Sequence, residues 1–227
     1  GYALQVASTD ETQLVREYVR NTHGATHRGY SIAVQHVLCA ARDSEADAFR
    51  SELGNRQLLW HGSRLTNWAG ILASGLKIAP AEAPVTGYMF GKGIYFADMA
   101  SKSANYCGAT TASPTAVLLL CEVALGEHYE RITAEPGAAR SAQSAGKHST
   151  WGVGHTMPDP KGARQLDGVH VPMGKAAESG YLKSNLERLK QAEGTDQATL
   201  LYNEYVVYDV RQVKAKYVVV VKLDFVS

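Results

Sequence analysis

Leu58-Leu59-Trp60-His61-Gly62-Ser63-Arg64 is a short apolar run, typical of a strand, that ends at a histidine and a glycine. Two further strings also set one polar side chain among apolar neighbours: Gly91-Lys92-Gly93-Ile94-Tyr95-Phe96-Ala97-Asp98 and Leu201-Tyr202-Asn203-Glu204-Tyr205. The side chains with useful chemistry in the three strings are His61, Tyr95 and Glu204. The strings lie far apart in the chain, so a common site requires that the fold bring these residues together.

The composition indicates an ordinary globular domain. The chain has 227 residues, of which 45% are hydrophobic, and a formal net charge of +1. This length fits one large domain or two small ones, and the small charge gives no global basic field for nucleic acid. No apolar run reaches the roughly 18 residues of a membrane span. The odd set Cys39, Cys107 and Cys121 predicts free thiols, mostly buried, rather than disulfides or a zinc site.

Hydrophobic periodicity and end signals predict a mixture of helices and strands. Ser8 and Glu11 have capping-box spacing before an apolar stripe, and Asp98 is placed to cap another helix. We predict helices over 10–21, 44–53, 65–74, 98–106 and 184–192, and strands over 30–40, 57–60, 115–125, 205–210 and 217–225. Several strands are adjacent in sequence with few helices between them. That order favours an α+β domain with antiparallel sheet, filling residues 1–227.

Two long segments are predicted to be mainly connections. Residues 77–93 are rich in Gly and Pro, and a loop of that length is often functional. Residues 126–199 are rich in Gly, Ala, Ser and Pro and are predicted to hold one amphipathic helix, with Leu182, Leu186 and Leu189 on one face.

The common nucleotide-binding motifs are missing from the sequence. No strand leads through Gly-x-Gly-x-x-Gly into a helix, and no phosphate loop ends in Gly-Lys-Ser or Gly-Lys-Thr. A Rossmann or nucleotide-hydrolase function is therefore not indicated. Any dinucleotide that binds here must be held in another way.

Together the three strings resemble the His-Tyr-Glu signature of the poly(ADP-ribose) polymerases (PARPs), and specifically their DNA-dependent type. The resemblance extends from about Asn21 to Phe225. It implies a diphtheria-toxin-like ADP-ribosyltransferase fold, with two antiparallel β-sheets around an NAD+ cleft and flanking helices. It implies NAD+ as the substrate and no metal. It also places the family's helical regulatory domain and DNA-binding domains outside this chain, so that DNA acts only through them.

The resemblance assigns roles to individual residues. It implies that Glu204 binds the 2′-hydroxyl of the nicotinamide ribose and helps polarise the acceptor, that His61 holds the adenine-side ribose, and that Tyr95 and Tyr106 sandwich nicotinamide. A carboxylate suits that place because it stabilises an oxocarbenium-like sugar. The Gly62 backbone and the Ser103 hydroxyl are expected to bind the carboxamide. The remaining expected site residues are Lys102, which contacts Glu204 or the ribose, then Ser63, Asn67, Tyr88, Phe96 and Ala97, with Met89 and Tyr202 on the acceptor side.

Read one at a time, these residues have simpler explanations. Glu204 could be a strand-end carboxylate paired with a Lys or Arg, His61 a structural hydrogen-bonder, and Tyr95 a core residue. The segment from Lys77 to Lys92 resembles the family's donor loop over NAD+, but is otherwise a surface loop. The segment from Gly174 to Thr199 is longer than usual for the family; we expect it to decorate the surface, the alternative being that it shapes the acceptor side.

The function implied by the resemblance is transfer of ADP-ribose from NAD+ to protein and then to the growing polymer, with release of nicotinamide. Two alternatives keep the chemistry, namely single transfer and NAD+ hydrolysis. A third alternative is a non-catalytic module that binds NAD+ or ADP-ribose. The family implies a nuclear location, or a cytoplasmic one if the source is bacterial. We expect no membrane association, and a monomer for the isolated domain.

Overall fold

The computed structural model describes residues 1–80 and 88–226, which form three sheets with flanking helices. The strands are β1 (Ala3–Val6), β2 (Tyr30–Ala41), β3 (Arg56–Gly62), β4 (Ile94–Phe96), β5 (Thr115–Ala124), β6 (His128–Arg131), β7 (Ser149–Gly152), β8 (Thr156–Pro158), β9 (Arg164–Leu166), β10 (Val169–Val171), β11 (Ala176–Glu178), β12 (Glu204–Val207) and β13 (Val213–Phe225). The helices are α1 (Thr9–Asn21), α2 (Asp43–Ala48), α3 (Trp68–Ser74), α4 (Ala100–Ala104), α5 (Ala138–Ser144) and α6 (Gly180–Glu193).

The largest sheet has seven strands in the order β1-β2-β13-β5-β3-β10-β9. The first four pairings in this order, from β1 across to β3, are antiparallel. The second sheet has four strands in the order β4-β12-β7-β6, and β8 pairs with β11 in a third. The α+β class is therefore confirmed. The two main sheets are mostly antiparallel, as expected; the exceptions are β10, which runs parallel to β3, and β6, which runs parallel to β7.

The core lies on both faces of the large sheet, and β5 shows why. Successive side chains of this apolar strand point to opposite faces of the sheet, so Leu118 and Leu120 pack with Trp60 and helix α1 on one face. Leu119 and Cys121 face the second sheet, where they pack with residues such as Phe96. A strand buried on both faces reads as continuous apolar sequence, as β5 does. All three cysteines are free thiols, and two of them, Cys107 and Cys121, are buried.

Helix α1 confirms the predicted capping box. The Ser8 hydroxyl accepts from the backbone N–H of Glu11, and the Glu11 carboxylate accepts from the Ser8 backbone N–H. The apolar stripe buries Val15, Tyr18 and Val19 against the large sheet. The Tyr18 hydroxyl donates to the Leu58 carbonyl at 3.0 Å, which fixes the helix directly over β3.

Two predicted helices are shorter than expected because each is interrupted by a tighter turn. The segment 44–53 splits into α2 and a 3₁₀ turn over Ser51–Leu53. The segment 65–74 opens with a 3₁₀ turn over Leu65–Asn67 before α3, and Gly75 ends it at a positive φ of 76°. A glycine reaches that backbone region without a steric penalty.

The predicted capping role of Asp98 is wrong. Helix α4 begins after Met99, and its first N–H, that of Ala100, donates to the Thr22 hydroxyl at 3.1 Å. The Asp98 carboxylate instead accepts hydrogen bonds from Asn203 and Tyr205. The Thr22 hydroxyl, from a distant part of the chain, therefore caps α4 in place of Asp98.

The prediction of long connections over 126–199 is also wrong. Apart from helix α6, this segment holds α5 and the short strands β6 to β11. Strands of three or four residues carry too little alternation to be read from sequence alone. Four of them lie in the two main sheets, so the segment is part of the fold.

Helix α6 shows that the segment from Gly174 to Thr199 is not surface decoration. Leu182 and Leu189 are buried in a small core with Ile132 and Val153, and Leu186 packs against it. The buried Glu193 carboxylate at the end of the helix accepts from the Thr133 hydroxyl and pairs with Arg131 at 3.1 Å. The predicted common face of the three leucines is therefore confirmed.

In the described part of the chain, no helix is long and apolar enough to cross a membrane.

We predict that Leu189→Ala lowers the free energy of unfolding by about 2 to 5 kcal/mol, because it leaves a cavity in this core. Urea unfolding measures the change, and Lys183→Ala on the exposed face of α6 is the matched control. A decorative helix would give equal, small effects for both variants.

Candidate active site

The two main sheets are joined by a bridge between Trp60, near the end of β3, and Ala97, the residue after β4. Trp60 N donates to the Ala97 carbonyl at 2.8 Å, and Ala97 N donates to the Trp60 carbonyl at 2.9 Å. Next to β4 in the second sheet, Tyr95 of β4 pairs with Val206 of β12, the strand that starts at Glu204. The end of β3 in the large sheet is thereby placed near the start of β12 in the second sheet.

One cavity of about 270 Å³ is lined by His61, Tyr95 and Glu204. The fold therefore brings the three residues of the sequence strings together, as a common site requires. The other lining residues are Gly62, Tyr88, Met89, Phe96, Ala97, Lys102, Ser103 and Tyr106.

A second cavity of about 440 Å³ adjoins the first, since His61, Tyr88 and Tyr95 line both. Ser63 and Asn67 line only this second space, and the Asn67 amide donates to the Ser63 hydroxyl at 3.0 Å. The pair of cavities gives an elongated cleft, with His61 at the junction. An elongated cleft suits a ligand with two bulky ends, such as a dinucleotide.

Glu204 is held at the floor of the first cavity. Only 9% of its side chain is exposed, and its Oε2 atom lies 2.9 Å from Lys102 Nζ, whose side chain is 14% exposed. Lys102 Nζ also donates to the Asn203 carbonyl at 2.7 Å. The contact of Lys102 with Glu204 is thus present. Oε1 of Glu204 has no hydrogen-bond partner among the described residues, so it is the oxygen available to a ligand.

His61 is locked in one tautomer. Its Nδ1 atom lies 2.9 Å from the Tyr95 carbonyl, and a carbonyl only accepts, so Nδ1 carries the proton. Burial lowers the pKa of His61, with the hydrogen bond to Tyr95 acting more weakly in the opposite direction. The ring is therefore neutral at neutral pH, and Nε2 is left as a hydrogen-bond acceptor.

Tyr95 is fixed by its own loop. Its hydroxyl donates to the Gly91 carbonyl at 2.6 Å and accepts from Phe90 N at 3.0 Å. Burial raises the pKa of Tyr95, so it stays a neutral phenol. Tyr106 lines the same cavity and keeps 62% of its surface exposed. Aromatic faces of this kind attract flat cationic rings.

Comparison with known proteins bears directly on this arrangement. Residues 9–223 match the family model of the poly(ADP-ribose) polymerase catalytic domain. The chain belongs to that family. It is 51% identical over 220 residues to poly [ADP-ribose] polymerase 2 of Arabidopsis thaliana, 48% over 225 residues to poly [ADP-ribose] polymerase 1 of Danio rerio, and 47% over 217 residues to poly [ADP-ribose] polymerase 2 of Homo sapiens. Each match covers 96% of this chain, but only 32%, 20% and 35% of the respective relative.

Gly62 has a structural reason within this PARP domain that the sequence did not reveal. A Cβ atom at this position would lie 1.8 Å from the Ser103 carbonyl oxygen of α4. From the sequence, we expected a glycine here because the backbone must approach the ligand closely. In the structure, helix α4 also approaches the Gly62 backbone closely, and Ser103 Oγ donates to the Trp60 carbonyl at 3.0 Å across this contact. Donation from Ser103 to a carboxamide therefore requires its hydroxyl to rotate away from Trp60.

The two residues expected on the acceptor side of the PARP domain differ in exposure. Met89 lines the first cavity beside Tyr95. Tyr202 is buried, its hydroxyl bonds to the Thr26 hydroxyl at 2.7 Å, and its ring lies 5.0 Å from that of His27. The Tyr202 hydroxyl is thus already bonded inside the fold, and its place on the acceptor side stays a prediction.

The expected donor loop lies partly outside the described residues, which omit 81–87. At its two ends, Lys92 Nζ donates to the Pro80 carbonyl, and Tyr88 lies with its ring centroid 6.1 Å from that of Tyr95. No group of three or more metal-ligating side chains occurs in the ranges 1–80 and 88–226.

Sequence reasoning missed Asp98 and Asn203, which lie beside the site without lining the first cavity. The Asn203 amide donates to Asp98 Oδ2 at 2.6 Å, and its own oxygen accepts from Gly154 N at 2.9 Å. The available signal was their position in the quoted strings, where Asn203 directly precedes Glu204 and Asp98 follows Tyr95 by three residues.

We predict that ¹⁵N NMR of the domain shows His61 as the Nδ1–H tautomer at neutral pH, because its proton is committed to the Tyr95 carbonyl. The exposed His36 in the same spectra serves as the internal reference. An Nε2–H tautomer or a cationic ring at neutral pH would contradict the arrangement.

Proposed function

We propose that the domain is an NAD+-dependent poly(ADP-ribose) transferase, which transfers ADP-ribose to protein and then to the growing polymer and releases nicotinamide. The observation that carries this proposal is the placement of Glu204. Its side chain is nearly buried, is oriented through Oε2 by Lys102, and lines a cavity that Tyr95 and Tyr106 also line. The family membership and the names of the relatives support the same activity.

The chemistry begins with the bond between nicotinamide and ribose. When that bond breaks, its electron pair leaves with nicotinamide and the ribose gains oxocarbenium character. A preorganised carboxylate stabilises this charge best where water is excluded, as it is around the 9%-exposed Glu204 side chain. An acceptor hydroxyl then attacks the sugar carbon to form the new C–O bond, and its proton passes to the Glu204 carboxylate, which releases it to solvent.

Nicotinamide is bound by the aromatic and backbone groups of the first cavity. Tyr95 is held rigidly by Gly91 and Phe90, so its ring face is set before the ligand arrives. Tyr106 supplies a second ring on the same cavity. Stacking and cation–π attraction favour the charged pyridinium over the neutral product, which assists product release.

The adenosine half is expected in the second cavity. His61 lies at the junction, with Nε2 as an acceptor for a ribose hydroxyl, and Ser63 and Asn67 line the space beyond it. Protein acceptors and polymer approach from the side of Met89. On the family's properties we place the protein in the nucleus, with DNA acting only through parts of the protein outside this chain.

Glu204→Gln keeps the size of the side chain but removes its charge, so we predict a loss of transfer on the order of 10²-fold or more. The assay uses NAD+ labelled on its adenine side, with products separated by size and nicotinamide measured in parallel. Glu187→Gln, on an exposed site of α6 with 87% of its side chain accessible, is the control.

The products separate the proposal from its alternatives. A high-molecular-weight ladder that Glu204→Gln loses is the expected result. A single protein-bound unit would indicate mono-transfer, and nicotinamide with free ADP-ribose alone would indicate hydrolysis. Ligand binding without nicotinamide release would indicate a non-catalytic module, and wild-type polymer from Glu204→Gln would overturn the role of the carboxylate.

A further inference from the structure

Asp98 is a buried carboxylate beside the active site that the proposed reaction does not use directly. Only 1% of the residue is exposed, and it is not among the residues that line the first cavity. Its Oδ2 atom accepts from the Asn203 amide at 2.6 Å and from the Tyr205 hydroxyl at 3.2 Å. Its Oδ1 atom is buried without a hydrogen-bond partner, and no described Lys, Arg or His forms an ion pair with it.

Such a carboxylate is unfavourable for folding, because burial removes water from a charge that no cation pairs. Burial raises the pKa of Asp98 to about 6, although the Asn203 hydrogen bond, the charge of Lys102 and the Tyr205 hydroxyl favour the ionised form. Other buried carboxylates of this domain, Glu122 and Glu193, have direct partners in Arg56 and Arg131. A buried charge without such a partner is often kept for function.

Asn203 connects Asp98 to the catalytic pair. Its side-chain oxygen accepts from Gly154 N at 2.9 Å, so the amide is held from both sides. Its main-chain carbonyl accepts from Lys102 Nζ at 2.7 Å, and the same Nζ lies 2.9 Å from Glu204 Oε2. The orientation of the peptide before Glu204 therefore sets where Lys102 and the catalytic carboxylate meet.

We propose that Asp98 is a positioning residue for the catalytic carboxylate, acting through Asn203 to hold the Lys102–Glu204 pair in place. The proposal rests on the proposed function, since it assigns the device that orients Glu204 for that reaction. Neutral side chains could fill the volume of Asp98. Only an acceptor at Oδ2 fixes the Asn203 amide with its N–H group toward Asp98 and its oxygen toward Gly154, and a carboxylate accepts more strongly than a neutral group.

The first test is Asp98→Asn, which is nearly isosteric. With its oxygen in the place of Oδ2, the new amide still accepts from Asn203 and Tyr205 but more weakly than a carboxylate does, and its NH2 group lies buried at the Oδ1 position, where no described residue accepts from it. We expect kcat for nicotinamide release to fall about 10- to 100-fold, the loss typical of one hydrogen bond to a buried charge. The KM for NAD+ should change little, because Asp98 does not line the cleft.

Glu122→Gln is the matched control. Glu122 is also a buried carboxylate, but it lies on β5 and pairs with Arg56 at 2.7 Å and Lys214 at 2.7 Å. That variant should lower the melting temperature and leave kcat unchanged. The contrast separates a positioning role from a general effect of removing a buried charge.

A second variant tests the proposed path and guards against misfolding. Asp98→Asn combined with Asn203→Asp exchanges donor and acceptor, so that a charged acceptor is again present in the pair and the amide at position 98 donates to it. We expect this double variant to recover a substantial part of the lost kcat, a non-additive result that marks direct coupling between the two residues. Absence of recovery, with a folded protein, would contradict the path through Asn203.

A crystal structure of Asp98→Asn gives a result that does not depend on activity. The proposal predicts that Lys102 Nζ and Glu204 Oε2 separate beyond ion-pair distance. An intact 2.9 Å contact, or unchanged kcat with only a lower melting temperature, would overturn it. An inactive wild-type domain would instead count against the proposed function, and the Lys102–Glu204 distance in the variant would still decide the positioning role.

Discussion

Two main-chain hydrogen bonds between Trp60 and Ala97 are the constraint on which the active site depends. They join the large sheet to the second sheet at 2.8 and 2.9 Å, in a place where Trp60 is fully buried. One residue further on, His61 reaches back to the Tyr95 carbonyl, and Gly62 lets α4 approach to within contact. Because these bonds use backbone atoms, neighbouring side chains are free to serve the site while the junction is kept.

The site combines aromatic walls with a few fixed charges. Tyr95 and His61 are each committed to backbone partners before any ligand binds, and Glu204 is committed through one oxygen to Lys102. Groups fixed in this way need little reorganisation during a reaction, which is where preorganised electrostatics is most effective. The orientation of Glu204 in turn depends on Asn203, because the Asn203 carbonyl and the Glu204 carboxylate bind the same Lys102 ammonium group.

The sequence predicts elements well where the signal is local. The capping box at Ser8, the apolar run of β5 and the start of β12 at Glu204 are all visible in short windows. It fails where a distant residue overrides a local rule. Asp98 has the spacing of a helix cap, yet its carboxylate binds Asn203, more than a hundred residues away. The short strands of 126–199 are missed for the same reason, since their pairing is set by long-range contacts.

The most direct measurement is a crystal structure of the domain with an NAD+ analogue whose nicotinamide is joined to ribose by an uncleavable carbon bond. The account predicts the nicotinamide ring between Tyr95 and Tyr106, with Glu204 Oε1 within hydrogen-bond distance of a hydroxyl of the adjoining ribose and the adenosine half beyond His61. Nicotinamide bound outside this cavity, or a ribose whose hydroxyls do not meet Glu204, would contradict it.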